Sequence, residues 1–142
     1  MSEPMDAKLK HLEFIQTAIG RMSTNSSLFK GWAITIAAAL TAFAAVDTRR
    51  ALVAIALVST TLFWGLDGYY LWLERGFVKL HSKVAAMPPA SIDFSMEIDK
   101  THAFVGWLKA CRRYHLIAFY GAILLIDIIG IILIKEGVHH GS

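Results

Sequence analysis

The sequence predicts an all-α membrane protein with three transmembrane helices, and three observations carry that expectation. Its 142 residues are 56% apolar with a mean hydropathy of +0.51, beyond an ordinary soluble domain of this size. Three stretches, Leu28 to Val46, Ala51 to Leu73 and Leu116 to Ile134, can each cross about 30 Å of hydrocarbon at about 1.5 Å per residue. Lysine and arginine are also divided unequally between the two sides of those stretches.

Before the first span lies a segment with Met5, Leu9, Leu12, Ile15, Ile19 and Met22 spaced by three or four, and with Asp6, Lys10, Glu13, Thr17 and Arg21 between them. That spacing predicts an amphipathic helix over 5–22 on the cytoplasmic side. The polar run STNSS, Ser23 to Ser27, is expected to break it and to supply Ser26 or Ser27 as N-cap of the first span, 28–46. The N-terminal residues lack the apolar core and small-residue cleavage site of a signal peptide, so they are expected to stay on the mature chain.

The second span, 51–73, is expected to continue as a cytoplasmic stalk to Val84, because Leu73, Phe77, Leu80 and Val84 keep one apolar stripe. Pro88 and Pro89 end it. In the connection 85–100, Ile92, Phe94, Met96 and Ile98 alternate with Asp93, Ser95, Glu97 and Asp99. The alternation is a strand signal over 92–98, and a lone strand would need a partner's edge; an extended loop covering the stalks is the other reading. A second stalk over 101–113, capped by Thr101, is expected to run without interruption into the third span, 116–134, and to pack antiparallel to the first.

Eleven lysines and arginines flank one side: Lys8, Lys10, Arg21 and Lys30, then Arg75, Lys79, Lys83, Lys100, Lys109, Arg112 and Arg113. Arg49, Arg50 and Lys135 flank the other. The bias puts the N-terminus and central connection in the cytoplasm of a bacterial-type inner membrane and the C-terminus outside, with Trp32, Trp64, Tyr69, Tyr70 and Trp72 near the inner interface. Three spans enclose little interior, so a homo-oligomer in the bilayer is expected.

Asp127 interrupts the apolar run AILLIDIIGIILI. A carboxylate facing lipid there costs about 2.5–3.5 kcal/mol on insertion scales, so it should face protein or water. Depth counting makes Thr41 of the first span and Ser59, Thr60 and Thr61 of the second its expected partners. It is either a pore-lining acid or a carboxyl that ties helices together. Asp67, between Gly65 and Gly68, can reach interfacial water or Lys30, and an ion pair or hydrogen bond is the simpler expectation. The small residues Ala33, Thr35, Ala37, Ala38, Thr41, Ala42 and Ala45 suit close helix packing at the centre of the assembly.

Lys109, Arg112 and Arg113, with Trp107, and Arg75 and Lys79 on the first stalk form a candidate cytoplasmic site for a nucleotide or oligonucleotide. Positive-inside anchoring explains the same charges without a ligand. Cys111, alone, can form no internal disulfide and reads as a packing residue. The six histidines have no metal-ligand spacing beyond the adjacent His139 and His140, which are incidental or an artificial addition, and no nucleophile motif is present. Neither enzymatic activity, a metal nor a cofactor is expected.

The strings LEFIQTAIGRMSTNSSLFKGWAITIAAAL and FWGLDGYYLWLERGFVKL, through IQ, RM, NS, KGW and D-x-YY-x-x-x-ER, resemble small multi-pass membrane proteins of bacterial anti-phage defence loci, the CRISPR-ancillary or nucleotidyltransferase-paired effectors. The resemblance covers roughly the first 80 residues. It implies an oligomeric, channel-like effector gated from the cytoplasm by a nucleotide or nucleic-acid signal. A non-conducting scaffold that recruits a soluble partner through SIDFSMEID and the N-terminal helix is the alternative; a small transporter is a weaker one, since no internal repeat is found.

Overall fold

A computed structural model describes residues 3–47 and 50–140. They form α1 (Glu3–Asp47), α2 (Arg50–Ala86), a 3-10 turn over Pro89–Ser91, α3 (Ala103–Cys111) and α4 (Tyr114–His140), with no strand among the described residues. Arg49 lies outside them, as do the side chains of Arg50, Lys135, His139 and His140. Two helices are long and apolar enough to cross a membrane, or three if the bent pair α3 and α4 counts as one span. The chain is compatible with a membrane protein.

α1 and α2 pair along most of their lengths. The buried residues His11, Ile15 and Ala18, then Ala33, Ala37 and Ala44, of α1 and Val53, Ala56, Thr60 and Asp67 of α2 recur within each run by three, four or seven, the seam of two long helices packed side by side. α3 lies on α2, and α4 packs on α2 and more lightly on α1. One cluster joins Ala33, Leu116 and Tyr120 with Phe63, Trp64 and Ile123 around them; Ala44 and Val53 form another farther along the hairpin.

α1 has no break at STNSS, contrary to the expected N-cap at Ser26 or Ser27. The hydroxyls that would cap a new helix are satisfied within the existing one: Thr24 donates to the Gly20 carbonyl at 3.0 Å and Ser27 to that of Ser23 at 3.2 Å. The seam also passes through the run, with Met22, Asn25, Ser26 and Phe29 half-buried, so packing outweighs the local preference for a turn.

α2 ends at Ala86, ahead of the two prolines, and its last carbonyls are capped from α1: Lys8 donates to Ala85 at 2.8 Å and to Met87 at 2.9 Å. The strand expected over 92–98 is absent, and the segment is an extended strap across α1 and α2. Phe94 has φ of 56°, which breaks the alternation and leaves Phe94 and Met96 exposed while Ile92 and Ile98 are half-buried. Side chains satisfy its amides instead of a neighbouring strand: Asp93 accepts from Ser95 at 3.0 Å and Asp99 from Thr101 at 2.9 Å. Ile98 packs over Gly76, and buried His11 meets the Ser95 carbonyl at 3.0 Å beneath the Phe94 ring.

The second stalk is not continuous with the third span. α3 starts at Ala103 with His102 in the cap position, no side-chain cap is made by Thr101, and α3 and α4 are bent by 61° at Arg112 and Arg113. Neither glycine nor proline marks the place. Two packing demands do: Trp107 and Cys111 fit against glycines of α2, whereas Leu116 and Tyr120 turn toward Ala33 and Trp64. The carbonyl that the break frees at Cys111 accepts from the Trp64 indole at 2.9 Å.

The glycines explain how closely α3 approaches. A Cβ at Gly68 would overlap the Cys111 thiol, and one at Gly106 would stand 2.5 Å from the Trp72 indole nitrogen. Trp107 donates back to the Gly65 carbonyl at 2.9 Å, so the two indoles tie α2 and α3 together in both directions. Burial pushes the Cys111 thiol above its ordinary range.

Candidate functional site

Two carboxylates are buried in the apolar part of the molecule, Asp67 at 0% and Asp127 at 1% exposure. Each is a charge-bearing group that needs partners to be held there.

Asp67 occupies the α2 seam where α1, α2 and α4 converge. Lys30 of α1 places its ammonium 2.6 Å from Oδ2, and the Tyr120 hydroxyl of α4 donates to the same oxygen at 3.1 Å. Ser26 donates to Oδ1 and receives a hydrogen bond from Lys30 at 2.8 Å. Both carboxylate oxygens are occupied, the charge is neutralised, and Lys30 still reaches solvent at 28% exposure. The rings of Trp64 and Tyr120 stack at 6.2 Å and 11°, which fixes the phenol beside the carboxylate. The ion pair is the expected one; Ser26 and Tyr120 were not legible as members. The polar run around Ser26 has the composition of a helix cap, and a tyrosine facing inward from α4 carries no signal of its own.

Asp127 sits on the buried face of α4, seven residues beyond Tyr120. Thr41 of α1 donates to Oδ1 at 2.9 Å, as depth counting expected, and Oδ2 has no partner among the described residues. Thr60 is equally buried, at 1%, and its hydroxyl is unpartnered among them too. Ser59 is half-buried, with no side-chain hydrogen bond among the described residues, and Thr61 donates to the Leu57 carbonyl of its own helix at 2.8 Å. Gly130 lets α4 come close, since a Cβ there would stand 3.1 Å from the Thr41 methyl.

The cationic residues of the expected cytoplasmic site come from α2, from α3 and from the bend after α3. Lys109, Arg112, Arg113 and Lys79 are exposed and Arg75 half-buried, while Trp107 is engaged with α2. Of two surface cavities, one lies between the end of α2 and the strap and the other between α1 and Tyr70, and neither takes in any of these six. Among the described residues no cluster of three or more histidine, cysteine, aspartate or glutamate side chains has the arrangement of a metal site. No family model, curated protein or solved structure matches this chain significantly.

Proposed function

We propose that this chain is an integral protein of a bacterial inner membrane, N-terminus and cap cytoplasmic, that acts as an oligomeric, channel-like effector opened from its cytoplasmic side. The observation that carries the reading is Asp127: a buried carboxylate with one oxygen unpartnered among the described residues, on a helix that also exposes Leu125, Ile126, Ile128, Ile129 and Ile132. Insertion is supported by those faces. Only 17% and 28% of the most apolar windows of α1 and α2 are buried within the chain, so Phe43, Val58, Leu62, Leu125 and Ile126 need an apolar medium.

In the closed arrangement Asp127 is shielded between α4 and Thr41 of α1. Opening moves α4 away from α1, so that Asp127 and Thr41 line a path between subunits and attract cations. The lever is the bend at Arg112 and Arg113, where an anionic ligand on exposed cations would shift α3 on α2 and swing α4. The nucleotide character of that ligand and the anti-phage setting rest on the resemblance, whose strings contain Ser26, Lys30 and Asp67, three members of one buried node.

Induced expression in a bacterial host with a membrane-potential dye tests this. Wild type depolarises cells when the trigger is present and Asp127→Asn does not; potential unchanged by both under every trigger contradicts a pore. One observation favours the scaffold reading instead, the exposed Phe94 and Met96 on a strap rigidly tied to α1. A pull-down whose partner is lost on making Ile92 and Phe94 polar, with no response to Asp127 substitutions, would select it.

A further inference from the structure

A groove of about 530 Å³ runs between α1 and Tyr70, lined by Thr17, Gly20, Arg21, Thr24 and Asn25. It belongs to neither buried carboxylate node. The ion pairs among the described residues are Lys10 with Glu13 and Lys30 with Asp67, so Arg21 is an exposed cation with no acidic partner there. Gly20 leaves the floor open, since a Cβ there would have nothing within 4 Å.

We infer that this groove binds the headgroup of an anionic, hydroxylated glycerophospholipid of the phosphatidylglycerol type. The inference rests on the membrane reading proposed above.

Three features identify the ligand. The donors fit a phosphodiester: Arg21, Asn25 and Tyr70, whose guanidinium, amide and hydroxyl groups can donate to phosphate oxygens, all line the groove. The acceptors fit a glycerol. Thr17 and Thr24 already donate their hydroxyl protons to the Glu13 and Gly20 carbonyls, at 2.9 and 3.0 Å, so each oxygen can only accept, as a headgroup hydroxyl requires. A choline headgroup supplies neither the hydroxyl donor nor a net negative charge.

Position selects a lipid over a soluble phosphate. Thr24 and Asn25 lie three or four residues before Leu28, roughly 5 Å at the rise of a helix, which is the depth of a headgroup layer of about 5–7 Å. One helical stripe leads from Thr17 and Thr24 through Leu28 to Trp32, and the last two are 48% and 53% exposed. A headgroup held at the polar end thus has an apolar path for its acyl chains along the same face.

The test is native mass spectrometry of the purified full-length protein, titrated in detergent with dioleoyl phosphatidylglycerol and, separately, dioleoyl phosphatidylcholine. Wild type should hold phosphatidylglycerol at least tenfold more tightly. Arg21→Gln should bring the two lipids within about twofold of each other, and so should Asn25→Asp, which sets a negative charge beside the phosphate. Lys100→Gln, exposed and outside the groove, should keep the preference. Equal retention of both lipids by wild type, or an unchanged preference in Arg21→Gln, overturns the site. Displacement of bound phosphatidylglycerol by millimolar glycerol 3-phosphate makes the ligand a soluble phosphate and overturns the lipid assignment. Alkaline carbonate extraction of membranes separates the two failures: release into the supernatant defeats the membrane reading itself, whereas a chain that stays in the pellet and shows no lipid preference defeats only the groove.

Discussion

Asp67 and Asp127 are both buried acids in largely apolar helices, and they are provided for in opposite ways. Asp67 has Lys30, Ser26 and Tyr120, contributions from three helices, and both of its oxygens are engaged. Among the described residues Asp127 has Thr41 alone and one oxygen without a partner, and the Thr60 hydroxyl is likewise unpartnered. A saturated node holds helices in one arrangement, because any movement breaks several charge-assisted bonds together. An undersaturated one leaves bonding capacity for another state, a proton, a cation or a neighbouring subunit. On the reading proposed above, the first node serves stability and the second serves function.

The comparison breaks most visibly at Asp67. Replacing it by Ala leaves the Lys30 ammonium half-enclosed without its counter-charge, and the thermal unfolding of detergent-solubilised protein should register a loss of about 3–5 kcal/mol. The double variant Lys30→Met with Asp67→Leu should recover most of that loss, because removing both charges leaves neither unpaired. A double variant no more stable than Asp67→Ala would mean that Ser26 and Tyr120, rather than the ion pair, dominate the node.

Gly68→Ala comes next. Its methyl would overlap the Cys111 thiol and force α3 off α2, at a cost of about 1–3 kcal/mol. Since burial holds that thiol above its ordinary pKa, maleimide labelling of Cys111 should be slow in wild type and several-fold faster in Gly68→Ala at pH 7. Equal labelling rates would show that α3 is already loose.

Thr41→Val removes the one hydrogen bond that Asp127 makes among the described residues, and the same unfolding assay should lose only about 0.6 kcal/mol, the average for such bonds between membrane helices. The contrast with Asp67→Ala is the sharper result. A loss from Thr41→Val as large as that from Asp67→Ala would make both nodes structural.

The smallest effect belongs to the polar cap. Thr101 donates to Asp99 through both its amide and its hydroxyl, at 2.9 and 2.5 Å, and holds that carboxyl below the usual range. A lowered folded pKa contributes order that is complete above the unfolded value and fades as pH falls through the folded one. Hydrogen exchange at the first turn of α3 should therefore quicken slightly, after correction for intrinsic rates, as the pH is taken below the ordinary aspartate range. Asp99→Asn should be insensitive over the same interval.

What was legible in the sequence follows the range of the interactions involved. Apolar length gave the long helices, and depth counting gave Asp127 with Thr41 and Asp67 with Lys30, because a helix converts residue number directly into height. The errors all lie where tertiary packing outweighs a local signal. STNSS has the composition of a helix break, yet its hydroxyls bond backward and the seam runs through it. The uninterrupted pattern from Thr101 onward concealed a 61° bend, because that bend is set by the glycines of α2 and by Trp64, which lie elsewhere in the chain. SIDFSMEID alternates as a strand does, but Phe94 adopts a left-handed conformation under which His11 is buried. Ser26 and Tyr120 could be placed at the Asp67 node only once three helices were seen to converge.

Cation flux through proteoliposomes, measured alongside unfolding of the same preparations, tests the division between the two acids most directly. Asp127→Asn keeps an acceptor for Thr41 and adds no volume, so the account predicts that the flux wild type shows with its trigger present is abolished, with a thermal midpoint equal to that of wild type. Undiminished flux in Asp127→Asn, or flux lost only in step with a fall in thermal midpoint, would contradict it.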